Sequence, residues 1–135
     1  MKSKPTYEVF LLPYECWLAE RLRPYGIHHC GDSLERVIEA YARVPGLAYV
    51  DVGWGSDVVA CRKALPEAFL SLRLNPARLR GQTPAQVRRD VERLRKQAGP
   101  LHRVALCCVA RDAGTRAENV RANMEAADRY RRRVE

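Results

Sequence analysis

The amino-acid sequence predicts an α/β protein in which four parallel strands alternate with helices. Four short runs carry the strand signal: Gly26–Cys30, Ala48–Val52, Phe69–Leu74 and Val104–Val109. They are mostly apolar rather than alternating, as parallel strands buried on both faces should be. Pro24, Pro45-Gly46, Gly53 and Asn75-Pro76 punctuate the first three. Each run is followed by a segment with helical apolar spacing, and strands alternating with helices imply right-handed crossovers.

The helices are predicted from their start signals and faces. Residues Tyr7 to Arg23 read as a helix, with Pro13 either starting its main part or kinking it. Asp32 with Glu35 three residues on is a capping-box pattern, after which Leu34, Val37, Ile38 and Tyr41 share one face. Ser56 is expected to cap a helix whose apolar face holds Val58, Val59, Cys61 and Leu65. Thr83, Pro84 and Gln86 spell a cap, a first-turn proline and a capping box. Behind them Val87, Val91, Leu94 and Ala98 form an inner stripe, while Arg88, Arg89, Arg93, Arg95 and Lys96 face water. Thr115 with Glu118 repeats the device ahead of Val120, Met124 and Ala127. Arg129–Arg133 reads as a solvated helix end.

Composition bounds the class. At 135 residues the chain is one ordinary domain, and 47% hydrophobic with 30% charged residues builds a core and argues against disorder. No charge-free run approaches the ~18 residues of a membrane span. Met1-Lys2-Ser3-Lys4 lacks the apolar stretch of a signal peptide, so the expectation is a soluble, cytoplasmic chain. Five cysteines, at 16, 30, 61, 107 and 108, make an odd count that does not suggest a disulfide framework. Cys16 and Cys61 sit on helix faces as small core residues, and His102 reads as loop surface.

The net charge of +8 is uneven: residues 1–72 carry −1 and residues 73–135 carry +9. A basic, non-enzymatic binding module is one function class this allows, and steeply salt-dependent nucleic-acid binding would be its mark. The arginines are spread over two helices and a tail without interleaved aromatics, which favours solvated helix faces instead.

The chemistry-bearing segment is His28-His29-Cys30-Gly31. On a strand, His28 and Cys30 point to one face, and imidazole and thiolate are two ligands that zinc prefers. A third ligand from a distant strand would make an open, catalytic-type site. His29 points the other way, as a packing residue. Asp51 and Trp54, at and after the end of the second strand, are placed to reach a site mouth. Arg73 and Asn75 close the third strand as an anion-binding pair. The plainer readings are an Asx turn at Asp51, an exposed edge arginine at Arg73 and a turn former at Asn75. There is no Gly-x-Gly-x-x-Gly after the first strand and no Walker A pattern. Four βα units therefore leave two architectures, a small doubly wound sheet or half of a (β/α)8 barrel, which typically needs ~250 residues.

The order of these motifs resembles the uroporphyrinogen decarboxylase superfamily, whose members include the zinc-dependent, corrinoid-linked methyltransferases. The resemblance runs through Leu12-Pro13-Tyr14, Gly26-Ile27-His28-His29-Cys30-Gly31-Asp32, Val50-Asp51-Val52-Gly53-Trp54, Leu74-Asn75-Pro76, Gln82-Thr83-Pro84 and Thr115-x-x-Glu118-Asn119. It covers nearly the whole chain. It implies the C-terminal half of a (β/α)8 TIM-type barrel. It also implies a methyltransferase-like site in which His28, Cys30 and Cys108 (Cys107 as the alternate) hold zinc, which activates a thiol to take a methyl group from a corrinoid. Under it Asp51, Trp54, Arg73 and Asn75 are substrate-binding candidates. A decarboxylase-type lyase fragment of tetrapyrrole biosynthesis is the alternative, and an inactive truncated half-barrel another. A half-barrel's open edges imply a second copy or a separately encoded N-terminal half as partner.

Overall fold

The computed structural model describes residues 4–109 and 112–131. The four expected strands are present: β1 (Tyr25–His28), β2 (Leu47–Val52), β3 (Phe69–Arg73) and β4 (Val104–Cys107), with all but β2 ending earlier than expected. They form one sheet in the order β1-β2-β3-β4, and every neighbouring pair is parallel. Right-handed crossovers between consecutive neighbours put every connecting helix on the same face of the sheet. A doubly wound sheet would instead reverse direction at a switch point and carry helices on both faces.

Ahead of β1, the expected single helix is two: α1 (Lys4–Phe10) and α2 (Leu12–Arg21). Leu11 breaks them apart, and Pro13 opens the second in the first-turn position where its missing N–H is harmless. After β1 comes α3 (Ile38–Tyr41), only four residues long, although Leu34, Val37, Ile38 and Tyr41 are all buried as the spacing predicts. The expected capping box at Asp32 and Glu35 does not form. Glu35 Oε1 accepts from Asp57 N (2.6 Å) and Ser56 Oγ accepts from Leu34 N (3.1 Å), so both side chains join two loops. The cap of α4 (Val58–Ala64) is consequently Asp57, bonded to Ala60 N, and not Ser56. Val58, Cys61 and Leu65 are buried there, whereas Val59 faces out.

A helix the sequence reading did not anticipate, α5 (Pro76–Gly81), follows β3 and is capped by the Asn75 side chain on Arg78 N. Then α6 (Pro84–Gln97) starts with the expected capping box of Thr83 and Gln86, and Val87, Val91, Leu94 and Ala98 are buried. After β4, α7 (Ala117–Arg131) lacks the expected Thr115–Glu118 box: Thr115 Oγ1 donates to Asp112 Oδ1 and Glu118 pairs with Arg116. Its buried face is Asn119, Ala122 and Ala126, not Val120, Met124 and Ala127; Met124 is 63% exposed. Small residues let α7 lie close on α6, and the Asn119 amide donates to Leu79 O (2.8 Å) and Gln82 O (2.7 Å). The larger apolar stripe is thereby turned towards the open β4 edge. The last two residues of the expected helix end, 132 and 133, lie outside the described residues.

Alternation gives the sheet two chemically distinct faces. Ile27, Val50, Val52, Leu70 and Leu72 pack with helix residues in the main core. The other face is set by register: His28 beside Asp51, Asp51 beside Ser71, Ser71 beside Ala105, and Arg73 beside Cys107. Nearer the strand starts that face carries Tyr49 and Phe69, whose rings stack at 6.2 Å. Among the described residues no helix is long and apolar enough to cross a membrane.

Candidate strand-end site

The polar face converges at the C-terminal ends of β1, β2 and β3. Asp51 is 5% exposed and lies between two basic side chains. Its Oδ2 is 2.6 Å from His28 Nδ1, and its Oδ1 is 3.2 Å from Arg73 Nε. The first contact sets the carboxylate beside the imidazole edge, which in the neutral ring favours the tautomer with the proton on Nδ1 and the lone pair on Nε2. The second is a charge contact only, since Asp51 Oδ1 and Arg73 Nε make no hydrogen bond among the described residues. Arg73 spends its Nη2 on His29 O (2.7 Å) and on Gly31 O. The Trp54 ring covers the guanidinium, its centroid 5.3 Å from Arg73 Cζ. Buried cations need this degree of pairing, because an uncompensated one in the interior is strongly unfavourable.

The loops that carry these residues are stitched together. The β1–α3 loop and the β2–α4 loop share Gly55 N to Asp32 O (2.6 Å) as well as the Glu35 and Ser56 bonds. Gly53 permits this approach. A Cβ there would lie 2.5 Å from Asp32 C, Asp32 O and Gly31 O, so any side chain would push the loops apart.

The expected site residues fall into three groups. Asp51, Arg73, Trp54 and His28 come together. His28 remains largely open, its side chain 61% exposed. Cys30 is exposed on the loop that follows β1. The Asn75 side chain caps α5 and lines one small pocket together with Trp54 and Arg73; Arg73 is buried rather than an exposed edge residue. The two later cysteines face apart, as strand alternation requires. Cys107 Sγ lies 3.5 Å from Ser71 Oγ on the polar face, while Cys108 packs against both hydrophobic clusters. His29 is buried as expected, with Nδ1 3.0 Å from the Tyr41 hydroxyl. Burial lowers its pKa below the ordinary 6.5 and favours the neutral ring.

These positions bear on the zinc expectation. Among the described residues no three His, Cys, Asp or Glu side chains group as a metal set. His28 and Cys30 stand at the β1 end, whereas Cys107 ends β4 and Cys108 follows it, three strands away. A three-ligand zinc site therefore does not fit one chain as folded here.

Glu35, Gly53, Gly55 and Ser56 are the residues that sequence reading placed wrongly or passed over. The Gly53-Trp54-Gly55 triplet was the available signal, since paired glycines beside a strand end mark close backbone approach. No family model and no curated protein matches this chain.

Proposed function

We propose that this chain is half of a (β/α)8-type barrel of the uroporphyrinogen decarboxylase kind, with a methyltransferase-like site at its strand ends. One observation carries the reading. Four consecutive, parallel βα units gather the residues of the resembling motifs, His28, Asp51, Trp54 and Arg73, at the C-terminal strand ends. That end is where (β/α)8 enzymes place their chemistry.

The residues divide the work as follows. Asp51 fixes the His28 tautomer and orientation, as the carboxylate of a His–Asp pair does. His28 Nε2, on the solvent side, takes the proton of a small substrate thiol. The resulting thiolate attacks the methyl carbon of a methyl-corrinoid substrate. The carbon–cobalt bond breaks with its electron pair left on cobalt, and the thioether departs as product. The decarboxylase alternative is disfavoured because Arg73, the buried cation at this site, is already engaged by Asp51 and two main-chain carbonyls. The binding-module reading is disfavoured because basic residues of the second half face acidic neighbours, as in Arg88–Glu125, Arg80–Asp112 and Arg95–Glu92.

The site is completed by a second half-barrel. Among the described residues β1 and β4 each have one neighbour and end the sheet with open edges. Light scattering on the purified chain tests this, with twice the chain mass expected if a second copy closes the barrel. Methylcobalamin and a small thiol, followed by the cobalt absorbance change, then test the chemistry. Protein-dependent demethylation that falls about 100-fold or more in His28→Gln is expected. No turnover by the assembled protein overturns the reaction, and a chain that stays single overturns closure by a second copy.

A further inference from the structure

We infer that Arg73 is a positioning residue: it holds the Cys30 loop, and it does not bind substrate. Three observations carry this beyond the reaction proposed above, and none depends on that reaction. First, the two carbonyls Arg73 Nη2 engages belong to His29 and Gly31, the residues on either side of Cys30. The guanidinium therefore grips the main chain at the point that presents the thiol, without touching the thiol itself. Second, the same side chain contacts Asp51 through Nε, and Asp51 in turn holds His28. One planar group thus sets the loop that carries Cys30 and backs the carboxylate that orients His28. Third, the cation is sealed. Its side chain is 5% exposed, Trp54 lies over its face, and the pocket the two line holds only about 30 Å³, too little for a substrate anion unless Trp54 moves.

The fork geometry matters. Arginine offers several fixed donors in one plane, whereas a lysine ammonium in the same place supplies charge without that planar reach. Arg73→Lys therefore separates the two roles. It keeps a cation for Asp51 and loses the grip on His29 O and Gly31 O. Arg73→Met removes both.

Native-state amide exchange at Gly31 and Gly55, read with the side-chain ¹⁵N shifts of His28, tests the assignment on the whole chain. In Arg73→Lys, exchange at both amides should rise on the order of tenfold or more, the size expected for losing a charged hydrogen bond. The His28 shifts should keep their Nδ1-protonated pattern. In Arg73→Met both readouts should change. Unchanged exchange in Arg73→Lys overturns the inference, because the loop is then held by other contacts. Loss of the His28 pattern in Arg73→Lys to the extent seen in Arg73→Met also overturns it, because the fork then has no separate role. If Arg73→Met does not fold, Arg73→Lys decides alone. Failure of Arg73→Lys to fold counts against the inference, since Arg73 would then be a core support.

Discussion

Arg62 shows how much one side chain contributes at the end of the sheet away from the site. It donates to five carbonyls, those of Ala98, Leu65, Pro66, Ala68 and Arg103. These belong to the end of α6 and to the approaches to β3 and β4, so one guanidinium fastens three connections. Arg62→Ala should lower unfolding stability by on the order of 2–3 kcal/mol in urea denaturation, because several carbonyls lose a charged donor at once. Arg62→Lys should recover less than half of that, since its ammonium cannot span the fork. Cysteine chemistry divides at the same scale. Cys61 is buried in the core, and burial pushes its thiol up to about 12, whereas Cys30 is exposed. Iodoacetamide at pH 8 should therefore label Cys30 in the native protein and leave Cys61 unlabelled until urea is added. The linkage has a definite sign. From the ordinary thiol value of 9.0 towards about 12, the unfolded chain has released the Cys61 proton and the folded chain has not. Stability falls across that window as pH rises. The slope of urea midpoint against pH should be shallower in Cys61→Ala.

At the scale of elements, the strand-end loops are held by backbone proximity and by side chains borrowed from expected helix caps. Gly53→Ala puts a Cβ 2.5 Å from the main chain of Gly31 and Asp32, which cannot yield as a flexible side chain would. It should destabilise the fold by about 1–3 kcal/mol, in the range of overpacking, and raise amide exchange at Gly55. The opposite case is α6, where the capping box is local and complete. Thr83→Ala should cost about 1 kcal/mol, measured as a lower urea midpoint with an unchanged slope.

At the scale of the whole molecule, apolar side chains gather at both edges of the sheet. The α1–α2 pair beside β1 leaves Phe10, Tyr14 and Trp17 exposed. At the opposite edge, β4 and α7 frame a groove of about 630 Å³ lined by Leu101, Val104, Leu106, Met124, Ala127 and Tyr130. Under the proposed closure, these are the apolar edges that a second half-barrel would cover. If a second copy closes the barrel, Met124→Lys should shift the light-scattering mass from two chains towards one. Thr83→Ala, away from both edges, should leave the mass unchanged.

Much of the fold was legible in the residues because its signals are local. Strand runs at Ala48–Val52 and Phe69–Leu74, the Thr83 box and the inner stripe from Val87 to Ala98 need only propensity and periodicity. The site was half legible. The strand runs put His28 and Asp51 near strand ends, but the register that sets them side by side is tertiary, and periodicity cannot tell that Glu35 and Ser56 are worth more as ties between loops than as caps. Nor can it tell that Asn75 serves a helix start while Arg73 turns inward. The stripe of Val120, Met124 and Ala127 misled for a related reason: its spacing is that of a buried face, but α7 buries Asn119, Ala122 and Ala126 instead, and Met124 and Ala127 line the groove at the β4 edge.

The sequence by itself determined four parallel βα units, the position of the His28–Gly31 segment at the first strand end, and the reduced, core-packed character of Cys61. Tertiary structure alone decided which residues the strand ends bring together: the His28–Asp51–Arg73 chain, the grip on the Cys30 loop, and the opposite facing of Cys107 and Cys108. The physical reason is that periodicity acts within a few residues. Charge pairing and backbone satisfaction act between groups more than twenty residues apart, and only the folded sheet sets those distances.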